Sequence, residues 1–249
     1  MTPALPWIVG SALVGVLAGP RIRSCVFSRS TESGQPPRHA CPDCGELILP
    51  VHHRWRSLLP ATGRCPACRA RIGASPLLAE LTAGVAMAVV AARASSVWEL
   101  AALAWLVLLA VPLAFIDNAV KRLPNTLTAA AFTGTLVMLT VAAITGHQPG
   151  HLGRAAIGAA ALACFYLLLW LIRPGGMGLG DVKLAVSVGV VLAWISWQAL
   201  ITGTFLAFIL ASAYGIALLV THRANRGSQL PLGPFMLVGA LAAVALLPV

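Results

Sequence analysis

Charge is the scarce commodity in this sequence. Only 10% of its 249 residues are charged and only seven are acidic, while hydrophobic residues make up 59%, with 23 Gly besides. Soluble domains are typically about 25% charged and about 45–50% apolar. A soluble fold of this size cannot bury so much apolar surface, because the buried fraction is bounded by its surface-to-volume ratio. Disorder is excluded as well, since it needs low hydrophobicity. No collagen-like repeat or heptad is present. The chain has instead long apolar runs, several of them about as long as the 18 or so residues that mark a spanning helix. The composition therefore predicts an all-α polytopic membrane protein.

The runs lie near 4–19, 77–92, 97–116, 126–145, 154–172, 183–196, 198–220 and 234–248, which predicts about eight transmembrane helices. The division at Ser196-Trp197-Gln198 rests on one short break. No basic residue precedes the first run, and Arg21 and Arg23 follow it. A cleaved signal peptide has the reverse pattern, so we read an uncleaved span with its N-terminus outside. Alternating from there, the inner segments hold Arg21, Arg23, Arg29, Arg38, Arg54, Arg56, Arg64, Arg69, Arg71, Lys121, Arg122, Arg173, Lys183, Arg223 and Arg226, and the outer ones only Arg93 and Arg154. Lys and Arg concentrate in cytoplasmic loops. The net charge of +10 is thus topological, and nucleic acid is not an expected partner; membrane lipid is.

Residues 24–75 differ in kind, holding seven of the 15 Arg and five of the six Cys. The organisation is read as a first span (1–23), a cytoplasmic module (24–75) and a transmembrane bundle (76–249). The module is too short for a good core, so a metal staple is physically sensible. Cys41-Pro-Asp-Cys44 and Cys65-Pro-Ala-Cys68 supply one. Two Cys-x-x-Cys knuckles provide four thiolates in tetrahedral zinc geometry, closing the coordination shell as structural sites do. Arg64 and Arg69 flank the second knuckle and favour its thiolate form. His52 and His53 are read as loop residues, and Cys25 and Cys164 as packing residues.

The apolar part of the chain contains four acids: Glu80, Glu99, Asp117 and Asp181. Ionisable groups in a membrane are expensive and are functional candidates by default. Glu99 is expected to be a solvated helix end. Glu80 near the start of the second span is either a carboxylate favoured by the helix dipole or a ligand for a basic substrate segment. Asp117 closes one span and Asp181 opens another, both on the inner side. Two carboxylates brought together share a proton, which gives an acid and a base from one residue type and allows water to be activated against a peptide bond. Gly178 and Gly180 remove side-chain bulk beside Asp181. The competing reading makes each Asp a helix cap.

Gly176-Met177-Gly178-Leu179-Gly180-Asp181-Val182-Lys183-Leu184 resembles the Gly-x-Gly-Asp segment of the type IV prepilin peptidases. Ile116-Asp117, followed by Leu123-Pro124-Asn125-Thr126-Leu127-Thr128, resembles that family's first-aspartate segment. Leu230-Pro231-Leu232-Gly233-Pro234-Phe235 resembles its last loop, and the paired Cys-x-x-Cys has the expected place after the first span. The resemblance implies a polytopic aspartic endopeptidase that removes the basic leader of prepilins or pseudopilins at the cytoplasmic face of a bacterial inner membrane. It also implies, as in many members, N-methylation of the new N-terminus from S-adenosylmethionine. Asp117 and Asp181 would be the catalytic pair, with Gly178, Gly180, Lys183 and Glu80 in support. Asn125 stands where the family has a second acid, and Ala18-Gly19-Pro20-Arg21-Ile22-Arg23-Ser24-Cys25 where it has a Gly-Ser-Phe-Leu-Asn-like stretch. A presenilin-like intramembrane protease resembles the chain at Gly178–Asp181, but places a Pro-Ala-Leu element near its end, where this chain has Pro231-Leu232-Gly233-Pro234. A metal carrier would need buried acid–His clusters in the spans, and His147 and His151 are expected in a solvated outer loop.

Overall fold

The computed structural model describes residues 5–32, 34–49, 58–147, 149–172, 176–222 and 230–247. Among them are eight helices: α1 (Leu5–Arg29), α2 (Leu78–Arg93), α3 (Val97–Val120), α4 (Asn125–Thr145), α5 (Pro149–Ile172), α6 (Leu179–Ile195), α7 (Trp197–Val220) and α8 (Gly233–Leu246). Each apolar run has become one helix. Five helices are long and apolar enough to cross a membrane: α1, α3, α4, α5 and α7. The short break is real: Ser196 is extended, ending α6 and capping α7 by accepting the Ala199 N–H. Four helices outrun their apolar stretches by four residues or more. α1 continues past residue 19 to Arg29, α3 past residue 116 to Val120, α5 starts at Pro149, and α6 starts at Leu179, which brings Gly180 and Asp181 into its first turn. His52, His53, Arg54, Arg56, Arg173, Arg223 and Arg226 lie outside the described residues.

The helices pack as four successive hairpins, α1/α2, α3/α4, α5/α6 and α7/α8. The interfaces are small and the periphery is large, as expected where lipid removes any hydrophobic drive between helices and close backbone packing must supply it. Buried positions are rich in Ala, among them Ala79, Ala83, Ala102, Ala131, Ala185 and Ala207, whereas Leu17, Ile201, Phe205 and Ile216 are exposed. Gly15 and Gly19 set the α1/α2 contact. A Cβ at Gly15 would stand 2.5 Å from the Ala83 carbonyl oxygen, and one at Gly19 would strike the Glu80 side chain. α6 buries residues on every side, from Asp181 through Trp194; a helix apolar all round belongs in the middle of a bundle. It contacts α4, α5, α7 and α8.

At the end of the bundle remote from the cysteine module, three sequence expectations change. Glu99 is not solvated but 4% exposed, accepting the Trp194 indole N–H at 3.1 Å together with the Ser95 N–H and hydroxyl. His151 sits in α5, not in a loop, with its ring edge-on to Trp194 at 5.2 Å. Arg93 and Arg154, the two exceptions to the charge asymmetry, have structural partners. Arg154 donates to the carbonyl oxygens of Ala193, Trp194 and Ile195, and Arg93 to that of Ala245. Each thus satisfies the orphan carbonyls at the C-terminus of another helix and complements its dipole. Arg154→Ala is expected to destabilise the protein by roughly 1–3 kcal/mol, the range for leaving buried acceptors unpaired. Thermal unfolding in detergent checks it, and an unchanged transition would contradict the capping role.

Candidate active site and metal centre

Asp117 lies in the last turn of α3, which Lys121 closes in a left-handed conformation with its N–H on the Asp117 carbonyl. The side chain is 4% exposed. Its Oδ2 accepts the Gly233 N–H at 3.0 Å. Gly233 opens α8, so the carboxylate fills one of the donor positions that a helix start leaves unpaired. A Cβ on Gly233 would stand 2.9 Å from the same oxygen.

Asp181 lies in the first turn of α6 and is also 4% exposed. Its Oδ2 reaches back to the Gly178 N–H at 3.1 Å, while its Oδ1 is buried without a hydrogen-bond partner among the described residues. The helix-cap geometry is therefore present at both acids, yet it uses one oxygen of each. The two carboxylates lie within electrostatic reach of each other, and the Tyr166 phenol lies within reach of Asp181. Tyr166 is 1% exposed, and nothing in its apolar stretch, Phe165-Tyr166-Leu167, distinguishes it from a core aromatic. The two glycines beside Asp181 differ. A Cβ at Gly180 would stand 2.8 Å from Leu123 Cβ, so Gly180 admits the α3–α4 loop; a Cβ at Gly178 would meet nothing closer than 3.7 Å. The Lys183 ammonium donates to Asn125 Oδ1 at 2.8 Å, tying the starts of α6 and α4.

Glu80 faces Arg23, whose guanidinium is 3.5 Å from Oε1. Arg23 is buried and also donates to the Pro60 carbonyl at 2.8 Å, so α1, α2 and the cysteine module meet at this pair. Arg29 donates to the Thr126 hydroxyl at 2.5 Å, and Arg122 to the carbonyls of Thr31 and Glu32. These bonds set the end of α1 and the residues after it against the α3–α4 loop and the start of α4.

The sulfurs of Cys41, Cys44, Cys65 and Cys68 lie within 4.8 Å of one another, with Cys41–Cys68 at 3.7 Å and Cys44–Cys65 at 3.6 Å. Zn–S bonds of about 2.3 Å in a tetrahedron put sulfurs about 3.8 Å apart, so the cluster can hold a zinc ion. The two knuckles share a backbone plan. The Gly45 N–H bonds to the Cys41 carbonyl and the Arg69 N–H to that of Cys65, both at 3.0 Å, and both residues have positive φ. The Cys68 backbone N–H, the largest influence, helps draw the Cys65 thiol down to about 7, toward the thiolate that a metal binds, while the Cys68 thiol, despite the Ala70 N–H, is pushed up to about 12 by burial and the neighbouring sulfurs. Phe27, Leu49, Leu59 and Ile72 pack around Cys41 and Cys65 as a small separate core.

An all-helical bundle with membrane-spanning helices, two buried carboxylates and a four-thiol centre defines a membrane-embedded protein with an acid pair at one end. Residues 100–216 match the type IV leader peptidase family. The prepilin leader peptidase/N-methyltransferase of Aeromonas salmonicida is 33% identical over 84% of this chain and 71% of its own length. The protein of that name from Burkholderia pseudomallei is 33% identical over 83% of this chain and 66% of its own, and that from Pseudomonas aeruginosa 28% over 84% and 71%. No solved structure matches. The chain belongs to the type IV leader peptidase family and is an inner-membrane protein.

Proposed function

We propose that the chain is an aspartic endopeptidase that removes the basic leader of a prepilin or pseudopilin at the cytoplasmic face of the membrane, with Asp117 and Asp181 as its catalytic pair. The observation that carries this reading is the shared geometry of the two acids. Each is buried at the same end of the bundle and uses one oxygen on a backbone N–H, so the other remains for chemistry. One carboxylate takes a proton from water as it attacks the scissile carbonyl carbon, and the other gives a proton to the carbonyl oxygen; roles then reverse as the amine leaves. The backbone N–H groups of Gly233 and Gly178 orient the two carboxylates, Gly178 leaves room for an extended chain, and Lys183 with Asn125 holds the start of α6. The cytoplasmic placement rests on the asymmetry of Lys and Arg. Mass spectrometry of a prepilin co-expressed with the protein tests the reading: a product cut after the leader is expected, and an intact prepilin beside well-folded protein would refute it.

The relatives' names join N-methyltransferase to leader peptidase, and the same spectrum would show a methyl increment if S-adenosylmethionine is used. The stretch Ala18–Cys25 does not outline a place for that donor. Gly19 is packed on Glu80, the Arg23 guanidinium is engaged by Pro60, Ala61 and Glu80, and Ser24 bonds Pro20 and Leu59.

The four-thiol centre is proposed to hold one structural zinc. Cys41→Ser with Cys65→Ser should remove the metal, and the 24–75 module, whose core is small, should become protease-sensitive. Metal analysis and limited proteolysis report both. Zinc retained by the double variant would contradict the assignment.

A further inference from the structure

The loop between α3 and α4, residues 121–124, touches the helices of both acids. The Lys121 N–H donates to the Asp117 carbonyl at 2.7 Å. Leu123 is buried and packs on Gly180, the residue before Asp181. Asn125, the first residue of α4, accepts from the Lys183 ammonium two residues after Asp181. The loop therefore sets the end of α3 against the start of α6. Its own backbone is strained: Lys121 is left-handed, at φ 51° and ψ 43°. A residue with a side chain keeps that conformation only where its surroundings over-determine it. Part of what does so comes from α1. Arg122 Nη1 donates to the carbonyl oxygens of Thr31 at 3.2 Å and Glu32 at 2.8 Å, and Arg29 Nη1 donates to the Thr126 hydroxyl. The end of α1 is itself pinned. Phe27 is buried in the small core around Cys41 and Cys65, the Ser24 hydroxyl accepts the Leu59 N–H at 3.0 Å, and the Ser28 carbonyl accepts the Arg38 N–H at 2.8 Å.

We infer that Arg122 and Arg29 are positioning residues for cleavage: they brace the α3–α4 loop against the end of α1 and so hold Asp117 and Asp181 at their working separation. The inference rests on the peptidase reading. Two carboxylates that act on one water and one carbonyl must both stay within hydrogen-bond reach of them, and a displacement of about 1 Å can cost about a hundredfold in rate. Neither arginine is placed to do chemistry. Each spends its Nη1 on an acceptor within the protein, and a cation has no attraction for a basic leader. Both act instead on the short segment that joins the two acid-bearing helices. The acceptors of Arg122 are backbone carbonyls, so the brace depends on where the chain at residues 31 and 32 lies, not on the side chains there. The cysteine module, whose core holds Phe27, thereby reaches the acids through α1 without touching them.

The test uses the full-length protein in phospholipid nanodiscs and a purified prepilin. Arg122→Ala is expected to lower kcat about tenfold with KM within about twofold, the pattern of a displaced catalytic group and not of a lost substrate contact. Lys replaces Arg poorly where the guanidinium fork is used, but here one nitrogen makes both bonds, so Arg122→Lys should bring kcat back to within about threefold. Thr126→Val removes the acceptor of Arg29 at an exposed position. It should lower kcat by about threefold, and it reads the brace should Arg122→Ala fail to fold. Arg21→Ala takes one exposed positive charge from the same end of α1 and should change neither constant. Amide hydrogen exchange over residues 121–123 reads the brace without substrate: it should quicken in Arg122→Ala and return in Arg122→Lys. Unchanged kcat or unchanged exchange in a folded Arg122→Ala protein, or a rise in KM alone, would overturn the positioning role while leaving cleavage intact. An equal loss in Arg21→Ala would trace the effect to positive charge at this face and overturn it too. A prepilin left uncut by the unaltered enzyme would instead overturn the peptidase reading, and the arginines' part in cleavage with it.

Discussion

Asn at either acid should abolish cleavage while leaving the fold in place. Asp117→Asn and Asp181→Asn are each expected to lower leader removal by about 10³-fold or more, the scale of losing a positioned general acid or base. The double variant should be little worse, because the two groups act on one water and one carbonyl as a unit. The structure makes the contrast with a capping role sharp. Each acid accepts one backbone N–H through a single oxygen, and the amide oxygen of Asn accepts that bond about as well. Helix starts α6 and α8 should therefore remain capped, with thermal stability changed by no more than about 0.5 kcal/mol. Activity falls only if the proton matters. Cleavage within a few-fold of the unaltered rate by a stable Asn variant would return both acids to the role of caps.

How far the sequence reached depends on the kind of signal. Helix positions followed from runs of apolar residues, because a bilayer imposes a length and a composition on each span that no tertiary partner can replace. The two acids stood out because so few acids share the apolar region. What escaped were groups whose roles depend on elements distant in the chain. Glu99 reads as an exposed end beside Trp98, yet Trp194, nearly a hundred residues away, gives it a buried donor. Arg93 and Arg154 read as loop charges, but each reaches the last carbonyls of another helix. Hydropathy averages over a window and cannot see a charge satisfied across the bundle. α1 outran its apolar run for the same reason: Arg23 is buried because Pro60, Ala61 and Glu80 converge on it. Gly233 looked like part of a loop motif, and only the fold shows that its N–H serves Asp117.

That contact yields a second large effect, from a substitution that keeps both acids. A methyl group at residue 233 would stand 2.9 Å from Asp117 Oδ2 and 3.3 Å from its Cγ, so the carboxylate, the mobile partner, must swing away. Gly233 is not among the glycines with positive φ, so Ala fits the backbone here and restricts the unfolded chain, a gain of about 0.4–1 kcal/mol. Gly233→Ala is therefore expected to hold or raise thermal stability while lowering kcat by about tenfold to a hundredfold, because small displacements of a catalytic group are costly. Gly180→Ala should behave differently. Its methyl would meet Leu123 Cβ at 2.8 Å, close to the backbone of the α3–α4 loop, so stability and activity should fall together. Gly178→Ala meets only ordinary contacts and has negative φ, so it should fold normally and raise KM if an extended substrate passes there. Measuring thermal unfolding beside kcat and KM for the three variants separates a positioned acid from a packed turn. Full kcat in a stable Gly233→Ala protein would mean that the bond from Gly233 does not hold Asp117 in its working orientation.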